Sequence, residues 1–182
     1  VMPPGERAMT EKEFMNKIAN GRIDILEALL SILNEIGASY CVIGGLAVNA
    51  YAEPVVSLDL DVVITSKDLA KFKKKSLAKG FKIQDFEHSV NLSSAGSDLR
   101  IQIQTDTRYQ DFVARSVKKK VLGYMMRVAS LEDVLQGKTW AFSDETRRKS
   151  KRQKDLADIF RLVETHPRLR AKLPPNVLVE WD

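Results

Sequence analysis

The chain has 182 residues, 44% of them hydrophobic and 29% charged, a composition that allows one sizeable core, with or without a helical appendage, and excludes disorder. No apolar stretch approaches the roughly 20 residues of a transmembrane helix; residues 1–9 lack the apolar run of a secretory signal; and the single cysteine, Cys41, allows no internal disulfide, so a reducing cytoplasm is the expected setting. The formal charge of +5 comes from lysine and arginine clusters at 71–79, 118–120 and 147–154, which are either solvated faces or a preference for a phosphate-bearing partner.

Thr10 and Glu13 have the spacing of a capping box and predict a helix over about 11–19. A stripe of Ile23, Leu26, Leu29, Leu30, Leu33 and Ile36 predicts a second helix over 23–36, closed by Gly37. Tyr40 to Ile43 is a short apolar strand running into Gly44-Gly45, after which Leu46 to Tyr51 suit a short buried helix that ends before Pro54. In 57–64 the pattern alternates, so that Leu58, Leu60 and Val62 face one way and Ser57, Asp59 and Asp61 the other. Ser66 is expected to cap a basic helix over 67–79, and 81–86 with 90–92 read as short strands before a loop at 93–97. Leu99, Ile101 and Ile103 alternate with Arg100, Gln102 and Gln104 in a further strand. A helix over 109–116, a small hairpin about Gly123, a helix over 131–142 capped by Ser130 and a helix over 151–164 complete the reading. Cys41 reads as core, Trp140 and Phe142 as core rather than base-stacking platforms, Tyr51 as either, and His88 and His166 lack the spacing of metal ligands.

Residues two apart on a strand lie roughly 6.5 to 7 Å apart and project in parallel. Asp59 and Asp61 therefore present two carboxylates that can share or flank Mg²⁺, the arrangement that holds a triphosphate. Gly44 and Gly45 carry no Cβ, so their backbone can approach a phosphate closely, and the following helix start offers unpaired N–H groups.

These residues, Cys41-Val-Ile-Gly44-Gly45-Leu-Ala-Val-Asn followed by Ser57-Leu-Asp59-Leu-Asp61-Val-Val-Ile, resemble the nucleotidyltransferase superfamily. Leu131-Glu-Asp-Val, Lys138, Ala141, Arg147 and Lys154-Asp155-Leu-Ala-Asp158-Ile make the chain similar to the AbiEii-type branch, toxins of bacterial abortive-infection toxin–antitoxin pairs, over about residues 35–165. The resemblance implies an α+β fold with a nucleotidyltransferase-like mixed β-sheet flanked by helices and a C-terminal helical segment. The expected organisation is N-terminal helices at 1–38, an α/β core at 39–129 and helices at 130–182 of the same unit.

The implied site has Asp59 and Asp61 as metal ligands for Mg²⁺ and catalytic residues, with Lys138 offsetting charge on the transferring group. Gly44, Gly45, Ser57, Arg100, Gln102 and Lys154 would contact the nucleotide. For Arg100 the alternative is an ion pair with Asp59 or Asp61, and for Asp155 and Asp158 pairing with Lys151 or Arg152. The implied reaction carries a nucleoside monophosphate from an NTP to a hydroxyl of RNA, a protein or a small molecule, in a chain whose partner is an antitoxin.

One departure stands out. The position where the superfamily carries a third carboxylate is Gln102, whose amide cannot take a proton from a hydroxyl at neutral pH. Asp98 and Asp106 share its face but lie roughly 13 Å away along the strand. The chain is accordingly either an enzyme that works without that carboxylate or a nucleotide- or partner-binding module. A plain RNA-binding domain, the third reading, leaves the Asp59 strand unexplained.

Overall fold

The computed structural model describes residues 7–182, so most of the segment examined for a secretory signal lies outside the described residues. The described residues form eight α-helices, α1 (Glu11–Ile18), α2 (Ile25–Glu35), α3 (Gly44–Val48), α4 (Ser66–Ala78), α5 (Gln110–Ala114), α6 (Leu131–Ser143), α7 (Lys149–Thr165) and α8 (Pro175–Trp181). Seven strands accompany them: β1 (Tyr40–Ile43), β2 (Asp59–Ile64), β3 (Lys82–Asp85), β4 (Ser89–Ser94), β5 (Ser97–Gln104), β6 (Val117–Val121) and β7 (Tyr124–Val128).

They make one mixed sheet in the order β3-β4-β5-β2-β1-β7-β6. The β2–β5 and β1–β7 pairs are parallel, and the others, including β1–β2, are antiparallel. This is the α+β architecture expected from the sequence.

Local chemistry explains the element ends. Thr10 and Glu13 form the reciprocal capping box, and Asp24 accepts a hydrogen bond from the Glu27 N–H at the start of α2. Ser130 caps α6 as expected, accepting from the Asp133 N–H. At α4 the expectation is corrected by one residue. Ser66 is the first helical residue and Thr65 the cap position, with the Thr65 hydroxyl donating to Asp68 and the Ser66 N–H donating to Gln110 of α5.

Three further boundaries differ from the sequence reading. The stretch read as a loop at 93–97 is mostly strand, because Ser94 and Ser97 pair across a tight turn. The lysines at 118–120 lie inside β6, an edge strand, where charged side chains discourage pairing with another chain. A turn of 3₁₀-helix at Pro167–Lys172 and α8 follow α7, where the sequence analysis placed no element.

The alternation in β2 and β5 sets up the site. Leu60, Val62, Ile101 and Ile103 turn into the core and are at most 1% exposed. The register sets Asp59 beside Arg100 and Asp61 beside Gln102 on the opposite face. α7 reaches that face through Lys151, whose ammonium meets Asp59 at 3.2 Å.

Candidate active site

Asp61 sits at the floor of a cleft between the sheet and α3, α6 and α7. The β1 strand runs directly beside it, with Ile43 opposite Asp61 in the antiparallel register, so the chain turns into α3 immediately over its carboxylate. Gly44 makes that turn at φ +68, and a Cβ there would overlap the Asp61 carboxylate. Both facts require glycine at 44. Gly45 is different, for a Cβ there would meet Asp158 at 3.9 Å and the Ser57 hydroxyl at 4.0 Å, ordinary contacts. Ser57 accepts the Asp59 N–H at 3.2 Å, which ties the approach to β2 beside the glycine turn.

Burial pushes the Asp61 carboxyl above the usual carboxylate range. The positive charge of Lys138 works against that, Asp59 adds to it, and Arg147 opposes it more weakly. Asp59 is more open and is held by Arg100 at 2.9 Å and Lys151 at 3.2 Å. Of the two readings of Arg100, the ion pair with Asp59 is the one present.

Lys138 is 7% exposed and lies between two carboxylates, 2.9 Å from Asp155 and 2.7 Å from Asp158. Burial disfavours its ammonium, yet Asp158 and then Asp155 more than offset this and raise its pKa. The chain of charges continues outward. Arg147 meets Asp155 at 2.7 Å, and Arg161 meets Asp158 at 2.8 Å while also donating to Asn49 at 3.1 Å. Asp155 and Asp158 therefore pair with Lys138, Arg147 and Arg161, where the sequence suggested Lys151 or Arg152. Arg161 stands three residues after Asp158, a spacing that could have flagged it.

Lys154 is exposed on α7, turned away from this cluster, and the structure does not bring it to the other site residues. Lys151, three residues earlier, is the residue of that cluster that does reach a carboxylate of β2. The first lysine cluster is largely neutralised locally, with Lys73 on Asp85 and both Lys75 and Lys79 on Glu35. Cys41 is fully buried, and burial pushes its thiol up to about 12, as befits a core residue.

Two cavities flank the carboxylates. One, of about 520 Å³, lies over the polar face of β3, β4 and β5 and is lined by Asp59, Arg100, Gln102, Asn91 and Gln84. The other, of about 670 Å³, is lined by Gly44, Asp61, Lys138, Arg147, Arg108 and Trp140 among others. Gln102 borders both. Each volume suits a ligand of nucleotide size.

The family description "Nucleotidyl transferase AbiEii toxin, Type IV TA system" matches residues 29–180. The chain belongs to the AbiEii nucleotidyl transferase toxin family. No curated protein matches the sequence. Among solved structures, the lincosamide antibiotic adenylyltransferase LnuA with bound lincomycin is similar at 13% identity and a TM-score of 0.56, over 79% of this chain and 99% of that one. ANT(2")-Ia in complex with adenylyl-2"-tobramycin is similar at 13% identity and a TM-score of 0.55, over 81% and 96%. An antigenic nucleotidyltransferase-like protein from Paracoccidioides brasiliensis aligns at 17% identity and a TM-score of 0.53, over 86% and 78%. At these identities the likeness is one of fold: a nucleotidyltransferase-like sheet flanked by helices. Among the described residues, no helix is long and apolar enough to cross a membrane.

The residues present suit Mg²⁺. Among the described residues no group of three or more acidic, histidine or cysteine ligands exists, so no all-protein cage is present. Mg²⁺ is commonly held instead by one or two carboxylates together with substrate phosphates. Asp59 and Asp61 supply hard oxygen donors, and the missing Cβ of Gly44 leaves the Asp61 carboxylate directly against the backbone turn.

Proposed function

We propose that the chain transfers a nucleoside monophosphate from an NTP to a hydroxyl acceptor, with Asp59 and Asp61 as the Mg²⁺ ligands. The observation that carries this is the seating of Asp61 under Gly44, with Asp59 two residues before it on the same face of β2. Bound there, Mg²⁺ supplies Lewis-acid polarisation of the phosphates and offsets their charge.

The chain's own residues do the rest. Asp61 lies directly under the Gly44 turn. Arg147 borders the same cavity and can donate to phosphate oxygens, while Lys138, locked by two carboxylates, contributes its field more than its reach. Arg100 and Lys151 neutralise Asp59, so a bound ion would share or displace them. In the transfer the acceptor oxygen bonds to the α-phosphorus, the bond to the pyrophosphate oxygen breaks, and pyrophosphate leaves with the electron pair. The hydroxyl proton passes to solvent water, because the Gln102 amide cannot accept it.

RNA, a protein and a small molecule are the candidate acceptors, and membership in a toxin family makes an antitoxin protein the proposed partner. Incubation with Mg²⁺ and each α-labelled NTP, total RNA and cell extract tests the proposal. Label is expected in an acceptor with the wild-type chain and absent with Asp59→Asn combined with Asp61→Asn. Gln102 favours a second reading, a module that binds nucleotide or a partner protein without turnover. Metal-dependent nucleotide binding with no label transfer to any acceptor would select it.

A further inference from the structure

The larger cavity has a wall that the metal and phosphate chemistry leaves unused. Arg108, in the 3₁₀ turn Thr107–Tyr109 after β5, lays its guanidinium over the Trp140 ring at 5.0 Å. Trp140 is in turn stacked on Phe112, with ring centroids 5.7 Å apart and planes 11° apart, and Tyr109 meets both rings edge-on at 5.3 and 5.2 Å. Asp106 fixes the guanidinium from its own side, accepting from Arg108 Nε at 3.0 Å and Nη2 at 2.7 Å, and it also accepts the Arg108 backbone N–H at 2.9 Å. Phe112, Trp140 and Arg108 thus form a contiguous cluster, and the Arg108 side chain in it is 57% exposed and lines the cavity. Trp140 itself, read from the sequence as core, is half-buried and lines the same cavity.

A surface arginine kept only for solubility has no need of a carboxylate to fix its plane and an aromatic ring to back it. A guanidinium held against an aromatic ring at a cavity wall offers a seat to another flat π-system. The cavity's other end holds Gly44, Asp61, Lys138 and Arg147. On α6, Lys138 and Trp140 are two residues apart, about 200° around the axis, so they stand on opposite borders of the face that lines the cavity, separated by on the order of 10 Å. That separation matches an extended nucleotide with its phosphates at one border and its base at the other.

We propose that the Arg108–Trp140 stack is the nucleobase seat of this site. The inference rests on the nucleotide reading above and deepens it: the base is held by its face, so the seat accepts purines and pyrimidines alike.

The test compares ATP, GTP, CTP and UTP with inorganic tripolyphosphate, each with Mg²⁺, in equilibrium binding to wild type, Arg108→Lys and Trp140→Leu. Both substitutions keep the net charge. NTP affinity is expected to fall on the order of ten- to a hundredfold in either variant, with tripolyphosphate affinity unchanged. Equal weakening of both ligands, or none, overturns the seat. A wild-type chain that binds tripolyphosphate as tightly as NTPs overturns the seat alone, while one that binds neither overturns the nucleotide reading as well. Arg108→Lys alters a partly exposed side chain and carries the comparison if Trp140→Leu does not fold. The sequence contains two tryptophans, so Trp181→Phe leaves Trp140 as sole reporter. Its fluorescence is expected to be quenched by NTPs and indifferent to tripolyphosphate; the same response to both would count against the seat.

Discussion

At the residue scale, the two adjacent glycines have unequal roles although the sequence presents them as a pair. Gly44 combines a left-handed backbone with a Cβ-free contact on the Asp61 carboxylate, whereas Gly45 lies in the first turn of α3 with ordinary room around it. An alanine at 44 costs roughly 1–2 kcal/mol for the backbone conformation alone, and displaces Asp61 in addition. An alanine at 45 restricts the unfolded chain and suits a helix, so it is neutral or stabilises by about 0.4–1 kcal/mol. Thermal melts and label transfer check this together. Gly44→Ala is expected to lower the melting temperature and abolish transfer; Gly45→Ala is expected to melt no lower than wild type. A Gly44→Ala chain of undiminished stability would show that the turn relaxes, and with it that Asp61 is not fixed by the glycine.

At the scale of elements, α6 and α7 are joined by Lys138 lodged between Asp155 and Asp158. Removing one partner of a buried ion cluster strands the others, at a cost of about 3–5 kcal/mol. Lys138→Met is therefore expected to lower the melting temperature by roughly 6 °C or more for a chain of this length, apart from any loss of transfer. Lys138→Met combined with Asp158→Asn should recover part of the loss. A Lys138→Met chain as stable as wild type would mean that Arg147 and Arg161 alone satisfy both carboxylates. This brace also marks the limit of what the sequence discloses. The strand alternation in 57–64 and 99–104 showed that Asp59, Asp61, Arg100 and Gln102 share faces, because a period of two depends only on local geometry. The pairing of β2 with β5 puts Gln102 beside Asp61. The partners of Lys138, the contact of Lys151 with Asp59, and the seating of Arg108 on Trp140 join residues that lie 17 to 92 positions apart on different elements. Periodicity carries no information about such contacts. Lys154 was drawn in by its neighbours in the motif, but helix phase turns it outward while Asp155 and Asp158 turn in.

At the scale of the whole molecule, stability and the proposed metal binding are linked through Asp61. Burial raises its carboxyl pKa in the folded chain above the unfolded value, against the pull of Lys138 and Arg147. In the interval between the two values the folded chain binds more protons than the unfolded one. The associated stability is therefore fully present below the unfolded pKa and is lost as pH rises through the folded one. At neutral pH, above its unfolded pKa, the buried Asp61 carboxyl opposes folding, and a neutral isostere relieves that opposition. Asp61→Asn is thus expected to melt higher than wild type at neutral pH in chelator, with the difference shrinking as the pH falls. Mg²⁺ with NTP should reverse the order. Ligand at a hundredfold excess over its Kd adds about 2.7 kcal/mol, roughly 5–10 °C for a chain of this length, to wild type and little to the variant. Melting curves across pH, in chelator and with Mg²⁺ and NTP, measure both effects. A variant no more stable than wild type in chelator at neutral pH would show that Lys138 and Arg147 already offset the burial of Asp61. The cluster around Lys138 would then be what keeps the proposed metal ligand Asp61 charged.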